Sequence, residues 1–168
     1  IPPRVKETLV KKEDRFFYWH LGVNPYSTVR AASRAVTGRS VGGASTITQQ
    51  LARQTFGLME RSYRRKILEI FVAQRIEKEY SKSEILMLYL NRIFFGKNFH
   101  GIQAAARGYF GKDAKDLNLW ESATIAALIK SPNNIEPIRH PERAKKERDW
   151  VLERMVIENH LSRDEAEA

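Results

Sequence analysis

Arg61-Ser62-Tyr63-Arg64-Arg65-Lys66-Ile67-Leu68-Glu69-Ile70-Phe71-Val72-Ala73-Gln74-Arg75-Ile76-Glu77-Lys78-Glu79-Tyr80 opens on a basic group and predicts one long helix to about Tyr80. Counted from Glu69, the i+3, i+4 and i+7 positions are Val72, Ala73 and Ile76, so this glutamate shares its face with apolar residues. Arg65 stands four residues before it. A helix-surface salt bridge is the commoner meaning of that spacing, but the apolar company of Glu69 fits it poorly.

The flanks extend the helical pattern. Downstream, Ser81 and Glu84 have capping-box spacing and open a helix from Lys82 to about Asn91. Gly96 and Gly101 bracket a turn containing Asn98 and His100, and a small-residue helix follows from Ile102 to Tyr109, ending near Gly111. Asn118 with Glu121 caps an apolar helix from Leu119 to Lys130, which Ser131-Pro132 terminates. His140-Pro141 starts a long helix from Glu142 to about Asn159, with Trp150, Val151, Met155 and Val156 on its buried side. Ser162 and Glu165 cap one more. Upstream, Ile1-Pro2-Pro3 reads as an extended lead-in, and Val5, Leu9 and Val10 carry helical spacing toward Glu13. Asn24-Pro25 signals a helix over Tyr26 to Thr37 that stops at Gly38. With no internal repeat and no sustained strand alternation, the class is mainly α.

Two further stretches carry chemistry. In Glu13-Asp14-Arg15-Phe16-Phe17-Tyr18-Trp19-His20-Leu21-Gly22, adjacent carboxylates precede four aromatics. Apolar rings can make one acid unlike its neighbour, as proton transfer requires; a solvated helix end with aromatics filling the core is the other reading. In Gly42-Gly43-Ala44-Ser45-Thr46-Ile47-Thr48-Gln49-Gln50-Leu51, glycines give way to a capped helix start with Thr46 and Gln49 at capping-box spacing. Its free N–H groups and dipole could seat a phosphate, or the stretch is an ordinary cap after a loop.

The chain has 168 residues, 29 Lys and Arg against 20 Asp and Glu, and a formal charge of +9. That is the size of one domain with a real core, drawn to something anionic: nucleic acid, an acidic membrane surface or a phosphorylated substrate. It has no cysteine, hence no disulfide or thiolate metal site. His20, His100, His140 and His160 are not at paired ligand spacing, and Gly42-Gly43 lacks the lysine of a nucleotide-binding loop. No apolar run reaches the roughly 20 residues of a membrane-spanning helix. What remains is a carboxylate pair, a glycine-to-helix anion site and a basic helix with a half-buried glutamate, a set that suits activation of a hydroxyl against a phosphate-activated donor.

These residues resemble the peptidoglycan glycosyltransferase domain, glycosyltransferase family 51, of class A penicillin-binding proteins and monofunctional transglycosylases. Its five blocks occur in order: Glu13-Asp14-x-x-Phe17-x-x-His20-x-Gly22; Gly43 to Gln50; Arg65-Lys66-x-x-Glu69; Ile85-Leu86 through Tyr89-Leu90-Asn91 to Gly96 and Gly101; and Glu121 to Pro132. The second block departs from the usual lysine and asparagine by carrying Arg53 and Gln54, and arginine is not a neutral replacement at a phosphate contact.

The resemblance implies a lysozyme-like large helical lobe with a small membrane-facing jaw lobe at roughly residues 23–42, all within one glycosyltransferase domain. It implies polymerisation of lipid II, with an undecaprenyl-diphosphate-linked glycan chain as donor, into β-1,4 glycan with inversion and release of undecaprenyl diphosphate. Glu13 would be the general base, Asp14 would tune the site, and Glu69 would be the second carboxylate. Lys66 and Arg65 would meet the diphosphate, and Phe17, His20, Ser45, Thr46, Gln49, Gln50 and Arg53 would complete the substrate site. No protein-held metal is implied; a divalent cation, magnesium or manganese, at the diphosphate is the one cofactor it admits. The expected setting is the extracytoplasmic face of the bacterial inner membrane, anchored by a segment outside this chain, alongside cell-wall synthesis partners and without nucleic acid. The rival readings are a lysozyme-like lytic enzyme and a basic nucleic-acid-binding helical module.

Overall fold

A computed structural model of the chain describes residues 1–26, 45–58, 60 and 62–167. Among these residues the protein is mainly helical: α1 (Pro3–Glu13), α2 (Ile47–Thr55), α3 (Tyr63–Glu79), α4 (Lys82–Leu90), α5 (Ile102–Phe110), α6 (Leu119–Leu128), α7 (Pro141–Ile157) and α8 (Arg163–Glu167). The extended pairing among them is a single antiparallel bridge between Phe94 and His100. All but the first residue of the helix expected over Tyr26 to Thr37, and most of the expected jaw at 23–42, lie outside the described residues.

The chain divides into two compact units, Val10–Arg92 and Ile1–Leu9 with Ile93–Ala168. In the first, α2 packs on α3 and α4, and α3 on α4. Ile47, Leu51, Ala73, Ile85, Leu86 and Tyr89 are buried there. Each helix start is fixed locally. Thr46 and Ser81 make full capping boxes with Gln49 and Glu84, and the Ser62 hydroxyl accepts the Arg65 N–H. The connection after α1 is a tight turn in which the Phe17 and Trp19 N–H groups bond to the Asp14 and Phe16 carbonyls at 2.9 and 2.8 Å.

In the second unit, α6 and α7 form the main packed pair, with Ile125 and Leu128 on one helix and Val151 and Met155 on the other buried. Asn118 and Glu121 complete the capping box of α6, and Gly111 ends α5 in the left-handed conformation. The helix ends fall within about two residues of those expected, the usual uncertainty of a fraying terminus. At the N-terminus, helix rather than extended chain begins at Pro3, whose missing N–H costs nothing in a first turn. Trp150 corrects the sequence reading: it is 45% exposed, since one residue before Val151 is a turn of about 100° away from the buried stripe.

Candidate functional site

The last residue of α1 is Glu13, and Asp14 beside it is only 5% exposed. Both oxygens of Asp14 lie at hydrogen-bond distance from His20 Nε2, at 3.0 and 2.9 Å, and Oδ2 also accepts the Ile47 N–H at 3.0 Å. Asp14 therefore closes the turn onto His20 and places a carboxylate at the N-terminus of α2, where the helix dipole favours it. Of the two readings of that helix start, a phosphate seat or an ordinary cap, the structure bears on both by engaging two of its N–H groups within the protein. The Ile47 N–H is committed to Asp14, and the Gln49 N–H to the Thr46 hydroxyl at 3.1 Å.

Gln49 and Gln50, about 100° apart on the helix, join α2 to different neighbours. The Gln50 Nε2 donates to Glu13 Oε2 at 3.2 Å, and the Tyr89 hydroxyl of α4 donates to Gln50 Oε1 at 3.1 Å. Gln49 Oε1 accepts from Lys66 Nζ at 3.1 Å, while the same ammonium reaches Ser45 Oγ at 3.0 Å and Glu69 Oε2 at 3.0 Å. Those are three acceptors for three N–H bonds. Glu69 is 1% exposed, so the surface salt-bridge reading fails. Arg65 Nε stands 3.4 Å from Glu69 Oε1 without a formed hydrogen bond. Arg64, Arg65 and Lys66 thus stand in the first turns of α3, where cations add to the positive helix end instead of offsetting it.

A second knot holds the turn that carries His20. Lys82 Nζ donates to the His20 carbonyl at 2.6 Å and to Glu77 Oε1 at 2.8 Å, and lies 4.6 Å from the Phe17 ring centre. The Thr48 hydroxyl donates to the same Glu77 oxygen at 2.5 Å. Sequence reading missed Thr48, Glu77 and Lys82. There was a signal: Lys82 begins α4 and Glu77 lies in the last turn of α3, each with the sign its helix dipole disfavours. Tyr89 was read only as a block residue on a core helix, and its hydroxyl proves to face the site.

The structure thus brings Glu13, Asp14, His20, Ser45, Thr46, Gln49, Gln50, Lys66 and Glu69 into connected hydrogen-bond networks around the start of α2, with Arg65 beside Glu69. Phe17 departs from its expected place on the substrate surface: it has no exposed area and serves as the floor under Lys82. Thr46, Gln49 and His20 are also buried and frame the site from below. The reading that the four aromatics fill the core holds only for Phe17, since Phe16, Tyr18 and Trp19 are exposed. Arg53 lies on the last turn of α2, half-buried. For a metal held by protein groups alone the donors are not gathered among the described residues. Asp14 is turned to His20 and Ile47, Glu69 to Lys66 and Arg65, and no group of three or more His, Asp or Glu side chains gathers among the described residues. An open cavity lined by Asn159, His160, Leu161, Ser162 and Glu165 belongs to the other unit and gathers none of the expected residues.

The family model described as Transglycosylase matches residues 1–156. The chain is 41% identical over 167 residues to penicillin-binding protein 1F of Bacillus subtilis, covering 99% of this chain and 23% of that protein. It is 46% identical over 166 residues to penicillin-binding protein 1A of Escherichia coli, covering 98% and 20%. A crystal structure of penicillin-binding protein 1A from Haemophilus influenzae matches with TM-score 0.50 and 33% identity over 72% of this chain and 15% of that one. The chain spans about a fifth to a quarter of the length of these curated relatives. The family match over residues 1–156, with sequence identity over nearly the whole chain and a helical fold shared over 72% of it, places the chain in the transglycosylase family, the peptidoglycan glycosyltransferase domain of penicillin-binding proteins.

Proposed function

We propose that the chain polymerises lipid II into β-1,4 glycan, with Glu13 as the general base. One observation carries the assignment within the carboxylate pair. Asp14 is buried and committed to His20 and Ile47, whereas Glu13 is half-exposed and, among the described residues, accepts one hydrogen bond, from Gln50. Glu13 therefore retains lone pairs for the proton of an incoming sugar hydroxyl. As the 4-hydroxyl oxygen bonds to the anomeric carbon of the donor, its proton passes to Glu13. The bond from that carbon to the diphosphate breaks, inverting the centre.

The departing undecaprenyl diphosphate needs fixed positive charge where its own charge grows. Arg65 and Lys66, at the positive end of α3, supply it. Lys66 is held ready by Ser45, Gln49 and Glu69, so a phosphate oxygen would replace the weaker neutral acceptors while Glu69 keeps the ammonium in place. No step is assigned to a metal. The reading sets the protein at the extracytoplasmic face of the plasma membrane. Among the described residues no helix is long and apolar enough to cross a membrane.

Incubation with lipid II followed by sizing of the products tests the reaction, since a lytic enzyme would shorten glycan instead of lengthening it. Glu13→Gln should leave lipid II binding near normal and reduce turnover by roughly 10²–10⁴-fold, the usual contribution of general acid–base catalysis. More than about a tenth of the wild-type rate remaining would remove Glu13 from that role.

A further inference from the structure

We propose that Tyr89 is a positioning residue for Glu13, acting through the side-chain amide of Gln50. The claim rests on the reading of Glu13 as the base and adds how that base is aimed. Tyr89 is fully buried on α4, yet its hydroxyl is directed at Gln50 Oε1 at 3.1 Å, and the amide nitrogen of the same Gln50 is 3.2 Å from Glu13 Oε2.

An amide has one acceptor end and one donor end, so its orientation decides what Glu13 meets. With the Tyr89 O–H bonded to the amide oxygen, the NH₂ faces the carboxylate and restrains it. With the amide reversed, its oxygen would oppose the acceptor-only carboxylate, and the tyrosine hydroxyl, now accepting from the NH₂, would lose the acceptor for its own proton. The carboxylate and the tyrosine therefore favour the same orientation, and the tyrosine reinforces it by donating. It can do so only while it keeps its proton. Burial first, then the Glu13 carboxylate, hold its ionisation well above the ordinary 10.0, with Arg53 opposing and Asp14 adding a smaller push. Tyr89 remains a donor throughout the range in which a carboxylate can act as a base. A leucine or phenylalanine would fill the same core volume, so packing alone does not explain a hydroxyl aimed at Gln50.

The test uses the full chain with lipid II and the variants Tyr89→Phe, Gln50→Ala and their combination. Tyr89→Phe should lower kcat by about 3- to 10-fold, the size of one neutral hydrogen bond, with KM within about twofold. It should add nothing further in the Gln50→Ala background, because both act through the same amide. The NMR signals of the Gln50 NH₂ pair, well separated while one proton is held by Glu13, should draw together in Tyr89→Phe. In the unsubstituted chain the Tyr89 hydroxyl proton should exchange slowly with water, a reading that needs no variant to fold. Wild-type kcat in Tyr89→Phe, full additivity with Gln50→Ala, unchanged Gln50 signals or a fast-exchanging hydroxyl would each overturn the proposal. If Glu13→Gln retained activity, the base reading would fall, while the NMR results would still decide whether Tyr89 orients Gln50.

Discussion

Gly22 lies against the backbone of α3 with φ +84°, and a Cβ built on it would stand 2.8 and 2.9 Å from the Ala73 carbonyl carbon and oxygen and 3.1 Å from the Gln74 nitrogen. Helix backbone cannot yield as a side-chain tip can. Gly22→Ala should therefore cost at least about 3 kcal/mol, combining left-handed strain of roughly 1–2 kcal/mol with displacement of the turn. Gly57, also left-handed at φ +61° but with nothing within 4 Å of a built Cβ, gives the comparison. Its alanine variant should lose only the left-handed strain, roughly 1–2 kcal/mol. Urea unfolding of the two variants checks this, and equal losses would show that the close approach to Ala73 does not matter. Because the Gly22 carbonyl accepts the Thr46 hydroxyl at 2.6 Å, the Gly22 variant should also lose activity out of proportion to the fraction unfolded. The sequence showed Gly22 as a motif residue and said nothing of Ala73. It likewise showed Lys82, Glu77, Tyr89 and Gln50 without their partners: the Lys82 bond to His20 spans 62 residues and the Tyr89 bond to Gln50 spans 39, so only packing reveals them.

The helices themselves were legible because their starts are written within four residues. The boxes at Thr46 and Gln49, Ser81 and Glu84, and Asn118 and Glu121 all form as the spacing predicts. The burial of Glu69 was half-legible, since periodicity put it on an apolar face but could not reveal what α2 brings to meet it. Four consecutive aromatics gave no guide to which one enters the core. They sit on a tight turn without helical or strand period, and only Phe17 turns inward. The box that opens α4 predicts a pH dependence. The exposed Glu84 carboxyl is held below its ordinary 4.5, first by the Ser81 hydroxyl and then by the Ser81 N–H, which donate to Oε2 at 2.6 and 2.8 Å. A carboxylate with a depressed folded value stabilises the protein above its unfolded value, and that contribution disappears as the pH falls through the folded one. Glu84→Gln should therefore melt below the wild type near neutral pH, and the gap should close well below pH 4.5. A gap that persists unchanged into acid would mean the cap owes nothing to the charge.

At the scale of the whole molecule, the exposed large apolar side chains are unevenly shared. Apart from Ile138, Trp150 and Ile157, those among the described residues lie in the Val10–Arg92 unit, including Trp19 at 88% and Phe71 at 65% exposure. Single exposed apolar residues are ordinary, but their concentration in the unit that holds the candidate site suits a lipid-facing surface. The chain also carries a formal charge of +9, which by itself would favour nucleic acid as much as an anionic membrane. Salt separates these partners: phosphate-backbone binding falls steeply as salt rises, whereas apolar insertion does not. The protein should cosediment with vesicles containing anionic lipid and stay bound at a salt concentration that releases it from random duplex DNA. Phe71→Asp removes a side chain worth roughly 1.5–3 kcal/mol on full burial, so vesicle partition should fall by on the order of tenfold or more without a change in thermal stability. Trp19→Asp should act in the same direction. Lys145→Ala and Lys146→Ala, at exposed positions on α7, should change only the salt dependence. If the aspartate and alanine variants share one small, salt-sensitive loss, the apolar surface takes no part and the attraction is charge alone.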